Sequence, residues 1–375
     1  MANRLHIICL DVPFPADYGG AIDMFYRIQA LHQLGLDLTL HVFHYGREKQ
    51  SELEKYGEVI YYERRRSIWH LFSKRPFIVQ SRISQHLLTK LRKDNSPILF
   101  EGIHTTWPLE MEDIRQRFTL VRMHNVEDEY YLGLRKHARW YQKWYFEQER
   151  WKLKNYVHQL KHAKHLFAIK QSDAEKLAVF HPSTYILPAS IPPLNEQFSP
   201  VQPYALFHGN LSVPENEQAA RWLIQTLKGL YSRQFPLIVA GKNPSKRLTK
   251  WCNQDGIMLK KNPTSAEMEQ LVNGAQLHLL HTNVPSGVKL KLINCLASSG
   301  QVLVNEGMVE GTHLDQFCTV ATDAKAFKKH FIGLQNKPLT QVEFDRRQQY
   351  LHTHFNTKEN CKLIAELIST NETNF

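Results

Sequence analysis

The feature that most constrains the fold is an alternation of short apolar runs with helical segments, which occurs twice along the chain. Such an alternation predicts mostly parallel sheets with helices on both faces. In the first half the predicted strands are Leu5–Leu10, Leu38–Phe43, Val59–Tyr62, Ile98–Phe100, Leu120–Met123 and His165–Ile169. In the second half they are Tyr204–His208, Leu237–Ala240, Gly256–Leu259, Leu277–His281 and Val302–Asn305.

Helical periodicity and capping residues predict the helices between these strands. The predicted helices are Ala21–Leu34, Trp140–His162, one capped by Ser172 and Asp173, Glu215–Gly229, one started by Pro244, Ser265–Val272 capped by Thr264, Val288–Ala297, and a helical tail over Leu339–Ser369. Ser, Thr and Asp favour the N-cap, and Pro favours the first helical turn.

A proline-rich stretch separates the two halves. Five prolines between positions 187 and 203 make a helix or a central strand improbable there. At roughly 100–200 residues per domain, 375 residues predict two domains. We therefore expect an α/β protein of two doubly wound Rossmann-like domains facing across a cleft: 1–190, a linker 191–203, 204–355, and a C-terminal helix at 356–375 that packs back on the first domain.

Cysteine and histidine usage bears on the compartment and on metal binding. The five cysteines lie far apart, with no C-x-x-C and no tight histidine cluster, so we expect no disulfide framework, no metal site and a reducing cytosol. No apolar run reaches the roughly 18 residues that span a bilayer, and the start has no signal-peptide pattern. A cytoplasmic protein is predicted.

The chain is basic, with a formal net charge of +11. This balance implies acidic partners, which include nucleic acid, anionic lipid and phosphorylated small molecules. The stretch Arg64–Lys93 holds nine basic and no acidic residues. This stretch is interpreted either as a surface for peripheral docking on an anionic inner membrane or as a solvated face. Because no DNA- or RNA-binding motif occurs, we expect no nucleic-acid partner.

Four strand-to-helix turns could carry chemistry, because ligands bind beyond the carboxyl ends of strands in open α/β sheets. Gly19 and Gly20 allow close backbone approach to a ligand; the alternative is a turn that merely needs φ > 0. His124, in the run His-Asn-Val-Glu, could orient or transfer a proton, or could be a bystander in an acidic helix-capping turn. Gly209 and Asn210 could line a ligand or form an ordinary turn.

The fourth turn, Pro285–Ala297, is the most informative. Ser286 and Gly287 precede Lys289 and Lys291 near a predicted helix start. A helix N-terminus carries partial positive charge, so lysines there are unfavourable unless an anion is bound. A diphosphate would supply that anion; solvated lysines on an exposed face are the alternative.

Taken in order, these turns resemble the retaining GT-B glycosyltransferases of the group 1, or family 4, type, which build capsule, lipopolysaccharide and exopolysaccharide. The resemblance covers nearly the whole chain. It rests on "P-x-P-x-x-x-G-G" from Pro13, the His124 turn, the strand end at Gly209, the strand ending at Gly241, the "G-x-[KR]-x-K" pattern through Lys291, and the Glu310-Gly311 turn.

The resemblance implies a nucleotide-sugar donor, a glycan or lipid-linked acceptor, transfer with retention, and no cofactor or metal. His124, Lys289 and Lys291 would be catalytic. The implied donor-binding residues are Gly19, Gly20, Gly209, Asn210, Lys242, Ser286, Gly287, Asn294, Glu310 and Gly311.

Three positions depart from the family pattern. The acidic residue that holds the nucleotide ribose falls at Asn294, the preceding acidic position at Ser286, and an arginine that often follows the glycine pair at Asp23. These departures keep a weakened or inactive nucleotide-sugar-binding protein as the alternative. A nucleic-acid-binding protein and a sugar-nucleotide epimerase are more distant alternatives.

Overall fold

The chain folds into two units that each contain one parallel β-sheet. The structure is a computed structural model that describes residues 4–194, 197–284 and 288–372. Within those ranges, unit 1 comprises residues 4–192, Val288 and residues 355–372, and unit 2 comprises residues 193–284 and 289–354.

The sheet of unit 1 has the strand order β3-β2-β1-β4-β5-β6-β7, with every pair parallel. Its strands are β1 Arg4–Cys9, β2 Asp37–His44, β3 Gly57–Glu63, β4 Ile98–Glu101, β5 Thr119–Arg122, β6 His165–Ala168 and β7 Thr184–Ile186. The order reverses between β1 and β4, which makes their carboxyl ends a topological switch point where ligands bind in such sheets.

Unit 2 repeats this arrangement, with the order β10-β9-β8-β11-β12-β13 and parallel pairing throughout. Its strands are β8 Gln202–His208, β9 Leu237–Gly241, β10 Met258–Lys261, β11 Ala275–Leu280, β12 Gln301–Asn305 and β13 Thr319–Ala321. The reversal falls between β8 and β11. The predicted α/β class with two doubly wound parallel sheets is confirmed.

Helices connect the strands in both units. In unit 1 they are α1 Gly19–Gln33, α2 Phe77–Gln80, α3 Gln85–Leu91, α4 Glu112–Arg115, α5 Glu127–His137, α6 Trp140–Tyr156, α7 Gln171–Ala178 and the final α15 Thr357–Glu372. In unit 2 they are α8 Pro214–Thr226, α9 Lys246–Gln254, α10 Ser265–Gly274, α11 Leu290–Leu296, α12 Glu306–Val309, α13 Ala324–Leu334 and α14 Gln341–Phe355.

Alternate residues of each central strand enter opposite cores. On β4, Leu99 packs in one hydrophobic cluster while Ile98 and Phe100 pack in the other, and all three are fully buried. Both faces of a parallel sheet are covered by helices, so its strands read as continuous apolar runs. Helix α15 adds Ile364 and Ile368 to the cluster beside α1.

Several local predictions are wrong. Helix α9 begins at Lys246 and is capped by Ser245, not started by Pro244. Helix α7 begins at Gln171 after the N-cap Lys170, so Ser172 does not cap it. The predicted helix from Trp140 changes to a 3-10 helix at Val157–His162. The predicted cap at Thr264 is confirmed: its hydroxyl accepts a hydrogen bond from Glu267 N, and Glu267 completes a capping box.

Two further observations concern the cysteines and the helix lengths. All five cysteines are free thiols, four of them buried. Among the residues that the structure describes, no helix has both the length and the apolar character required to cross a membrane.

Candidate functional site

In unit 1, five charged or titratable side chains form a buried cluster at the carboxyl edge of the sheet. The unit 1 charge cluster consists of Asp23, Arg27, Glu101, Arg122 and His124. Asp23 and Arg27 lie one turn apart on α1, while the other three come from the ends of β4 and β5. The topology therefore brings together residues up to 101 positions apart in the chain.

Arg27 stands at the centre of this cluster. Its Nε and Nη2 donate to the two oxygens of Glu101 at 2.8 and 3.1 Å. Its Nη1 and Nη2 donate to the two oxygens of Asp23 at 3.1 and 2.7 Å. Arg122 Nη2 lies 3.4 Å from Asp23 Oδ2. Two buried guanidinium groups thus balance two buried carboxylates.

The charges set the pKa values of these carboxyl groups. Burial alone would raise the pKa of Asp23, but the Arg122 and Arg27 charges overcome it and hold that pKa far below its usual range. Burial likewise opposes ionisation of Glu101, yet Arg27 keeps its pKa lowered. Both carboxylates are therefore ionised at neutral pH.

His124 is the member of the cluster that reaches towards solvent, with a side chain 10% exposed. Its Nε2 lies 3.0 Å from Glu101 Oε2, and its Nδ1 lies 3.5 Å from Asp23 Oδ2. Two carboxylates thus fix the ring. The alternative proposed from sequence, an acidic turn at the start of a helix, also holds in part, because Glu127, Asp128 and Glu129 form the first turn of α5.

Asp23, Glu101 and His124 place three potential metal-ligand atoms within 4.8 Å of one another. The donor set does not fit a metal ion, because Arg27 already donates to all four carboxylate oxygens. A divalent cation there would have to displace a buried guanidinium group. The arrangement is suited to orienting His124.

A second feature of unit 1 lies beyond the ends of β2 and β3. A groove of about 500 Å³ is lined by Tyr45, Arg66, Ser67, Ile68, Leu71, Phe77 and Tyr145. The Arg66 guanidinium lies over the Tyr45 ring at 4.5 Å. Its neighbour Arg64 has a lowered pKa because it is buried close to Arg66. The groove is thus lined by three aromatic rings and the Arg66 guanidinium group.

The nine basic residues of Arg64–Lys93 do not form one free basic face. Four of them bind partners within unit 1: Arg64 donates to Ser81, Arg75 to Glu110, Arg82 to the carbonyls of Leu10 and Ile78, and Arg92 to Asp113. The predicted membrane docking through this stretch stays untested, but less of its charge is available than the sequence suggests.

Gly19 and Gly20 begin α1, as the turn prediction requires. Around the Cα of Gly19 there is open space, whereas a side chain at Gly20 would contact the Tyr18 ring. Gly19 therefore leaves room for a ligand beside the first turn of the helix.

In unit 2, the ends of β8 and β11 meet the starts of α8 and α11. Lys291 Nζ donates to Asn216 Oδ1 at 2.9 Å, and Asn216 Nδ2 donates to the carbonyl of Asn210 at 3.0 Å. A side chain on Gly209 would contact Asn216. The predicted residues Gly209, Asn210 and Lys291 are thus brought together through Asn216.

Lys289 and Lys291 occupy different environments. Lys289 is the N-cap residue of α11, and its Nζ lies 3.3 Å from Glu215 Oε1, which also accepts from the Thr282 hydroxyl. Lys291 lies over the Phe207 ring at 5.4 Å. Burial lowers the pKa of Lys291 to about 8. The charge of Lys289 acts in the same direction, whereas the Glu215 carboxylate raises this pKa.

The remaining donor-binding predictions are scattered along the same edge of the sheet. Lys242 follows β9 and is exposed, Asn294 is exposed on α11, and Glu310 and Gly311 are exposed after α12. Ser286 and Gly287 lie outside the described residues.

Sequence reasoning missed four residues that complete these sites. In unit 1, Glu101 contacts His124, Arg27 contacts Glu101, and Arg122 contacts Asp23. In unit 2, Glu215 contacts Lys289. A signal was present for Glu215, because Pro214 marks a helix start next to a strand end. For Glu101 and Arg122, the signal was that each is a charged residue in an otherwise largely apolar strand, β4 or β5.

Comparison with known proteins places this architecture in one fold. The GT-B fold of glycosyltransferases, with two Rossmann-like units, is the fold of this chain. Similar solved structures include sucrose-phosphate synthase of Thermosynechococcus elongatus (14% identity, TM-score 0.68, 100% of each chain covered). HepE of Anabaena, solved with UDP and glucose, is 11% identical with a TM-score of 0.65, over 98% of this chain and 99% of its own.

A third solved structure is the UDP-forming α,α-trehalose-phosphate synthase of Burkholderia xenovorans, which is 9% identical with a TM-score of 0.63, over 98% and 100% of the two chains. Among sequences, a 44.6 kDa protein of the cps region of Klebsiella pneumoniae is 26% identical over 354 residues, 88% of this chain and 90% of that protein. No family model matches the chain.

Proposed function

We propose that this protein is a glycosyltransferase that moves a sugar from a nucleotide-sugar donor to a glycan or lipid-linked acceptor, in the synthesis of a surface polysaccharide. The fold is shared with enzymes named as sugar-phosphate synthases and with a protein solved with UDP-glucose. The similar protein from a cps region supports the polysaccharide context.

The observation that carries the proposal is the environment of Lys291. Its side chain is half-buried next to the ends of β8 and β11, and this partial burial lowers its pKa to about 8. Among the described residues, Glu215 is the carboxylate beside Lys289 and Lys291, and a bound diphosphate would balance the positive charge that this single carboxylate leaves over. The same group would stabilise the leaving nucleoside diphosphate, because preorganised charges act strongly in a site without water.

We further propose that transfer proceeds with retention and without a metal ion. Lys289 and Lys291 would take the role that a divalent cation plays in other transferases. In unit 1, His124 would orient the transferred sugar or the acceptor, since Asp23 and Glu101 fix its ring. The protein would act in the cytoplasm.

The test is a transfer and hydrolysis assay over a panel of nucleotide sugars, in EDTA, with product anomers identified by NMR. Lys291→Met keeps the length of the side chain and removes its charge. We expect turnover to fall about 100-fold or more, with the melting temperature unchanged or higher, because burial disfavours the charge. The control Lys328→Ala, an exposed lysine on α13, should retain full turnover.

Full turnover of the Lys291→Met variant would overturn the catalytic role. Donor binding by the wild type without any turnover would favour the inactive alternative, which Asn294 in place of an acidic residue motivates. Loss of activity in EDTA, restored by a divalent cation, would refute metal-independent transfer.

A further inference from the structure

Helix α6 carries three tryptophans that point into solvent. Trp140, Trp144 and Trp151 are 84%, 66% and 66% exposed. At 3.6 residues per turn their directions fall within about 40° of one another around the helix. The buried residues of α6, which include Glu149 and Leu153, lie on the opposite side. The three indoles therefore form one tryptophan stripe, and nothing in the described part of unit 1 covers it.

Positive charge surrounds the tryptophan stripe. Lys136, Arg139, Lys143 and Lys154 are exposed and have no carboxylate partner among the residues described. The two acidic residues of α6 are already paired: Glu147 with Arg135 and Arg150, and Glu149 with Lys152. Within the described ranges, the stripe thus lies beside four cations that form no ion pair with a carboxylate.

This combination matches one kind of partner. Tryptophan is enriched where membrane meets water, because its ring is apolar and its N–H group is polar. Helices that lie in the plane of the interface carry aromatic residues on one side and Lys or Arg beside them. A second copy of the chain is a poorer match, because it would bring the same uncompensated cations against their equivalents.

We propose that α6 docks unit 1 on an anionic phospholipid bilayer, with the tryptophan stripe at the headgroup boundary and the flanking cations on the headgroups. This surface replaces the stretch Arg64–Lys93 as the main docking element. The proposal does not depend on glycosyl transfer, because docking is measured without donor or acceptor.

The first test is co-sedimentation of the full chain with phosphatidylcholine vesicles, with and without 30 mol% phosphatidylglycerol. We expect binding to the anionic vesicles only. Replacing Trp140, Trp144 and Trp151 together by Ser should lower the partition coefficient at least tenfold, since each aromatic group that leaves water contributes about that factor. The control Val342→Ser, at a 77% exposed position on α14 of unit 2, should bind as the wild type does.

The second test separates local charge from net charge. Each basic residue near an anionic surface contributes about a fivefold factor in binding. We therefore expect Lys143→Glu with Lys154→Glu to lower the partition coefficient about 25-fold or more. The matched control, Lys328→Glu with Lys329→Glu on α13, changes the net charge equally and should have a much smaller effect.

Each of the following results would overturn the proposal. One is wild-type binding that is absent, or equal with and without phosphatidylglycerol. Another is an unchanged partition coefficient for the triple tryptophan variant, or an equal loss in the two charge-reversal pairs. The last is a dimer that light scattering detects for the wild type but not for the triple tryptophan variant. The stripe would then be a self-association surface. All substituted positions are exposed, and circular dichroism would verify that the variants fold.

Discussion

At the scale of single residues, the sequence and the structure give different reasons for placing a bound anion next to Lys291. The sequence draws attention to it because a lysine near a helix N-terminus is unfavourable. In the structure the main cost is burial, and Asn216 supplies a neutral partner rather than a charge. The position of Glu215 beside Lys289, 74 residues away in the chain, could not be read from local pattern.

The unit 1 charge cluster gives a prediction about stability. Glu101→Gln would leave the buried Arg27 and Arg122 with one carboxylate instead of two. Breaking a buried ion pair costs about 3–5 kcal/mol, so we expect a large fall in the free energy of unfolding measured with denaturant. The control Asp113→Asn removes a half-exposed partner of Arg92 and should leave the midpoint nearly unchanged.

The pH dependence of this effect has a definite sign. The pKa of Glu101 is lower in the folded state than its ordinary value, so the folded state binds fewer protons than the unfolded state. Its stabilising contribution is present above about pH 4.3 and is lost as pH falls through the folded pKa. The difference in stability between wild type and Glu101→Gln should therefore shrink in acid. A difference that stays constant from pH 7 to pH 3 would contradict this account.

At the scale of elements, the central strands and most of the long helices were predicted from sequence, but α13 was not, although its buried residues Phe327, Phe331 and Leu334 follow a helical spacing. The edge strands β7 and β13 were missed, because each has only three residues and its burial is partial. Helix α5 was missed for a related reason: its opening run of three acidic residues looks like a turn until the N-terminal dipole is considered.

The contact between β8 and β9 at their carboxyl ends gives a prediction about stability and nucleotide binding. A methyl group on Gly241 would overlap the carbonyl oxygen of Gly209, so Gly241→Ala must push the two strand ends apart. We expect a loss of about 1–3 kcal/mol in thermal or denaturant unfolding, together with weaker nucleotide binding, because Asn210 moves with β8. Gly333→Ala on α13, where the space is open, should be neutral or slightly stabilising.

If Gly241→Ala unfolds at the wild-type denaturant midpoint, the strand ends are not as tightly packed as the structure has them. Lower stability with unchanged nucleotide affinity would show that the carboxyl end of β8 does not bind the nucleotide.

At the scale of the whole molecule, the repeated strand order explains why the sites could be located before their geometry was known. Each sheet reverses its order beside its first strand, and the predicted turns at His124 and at Gly209 follow strands near those reversals. The partners of these residues come from distant segments. The tryptophan stripe was missed as well, because periodicity predicts α6 but does not say which face stays uncovered.

The measurement that tests the central claim most directly is isothermal titration calorimetry of UDP and a panel of nucleoside diphosphate sugars, on the wild type and on Lys291→Met. We expect one site on the wild type, at least tenfold weaker binding by the variant, and proton uptake near pH 8.5 by the wild type alone, because a bound anion raises the pKa of Lys291. Equal affinities of the two proteins, or no binding of any nucleotide by the wild type, would contradict the claim that unit 2 holds a diphosphate beside Lys291.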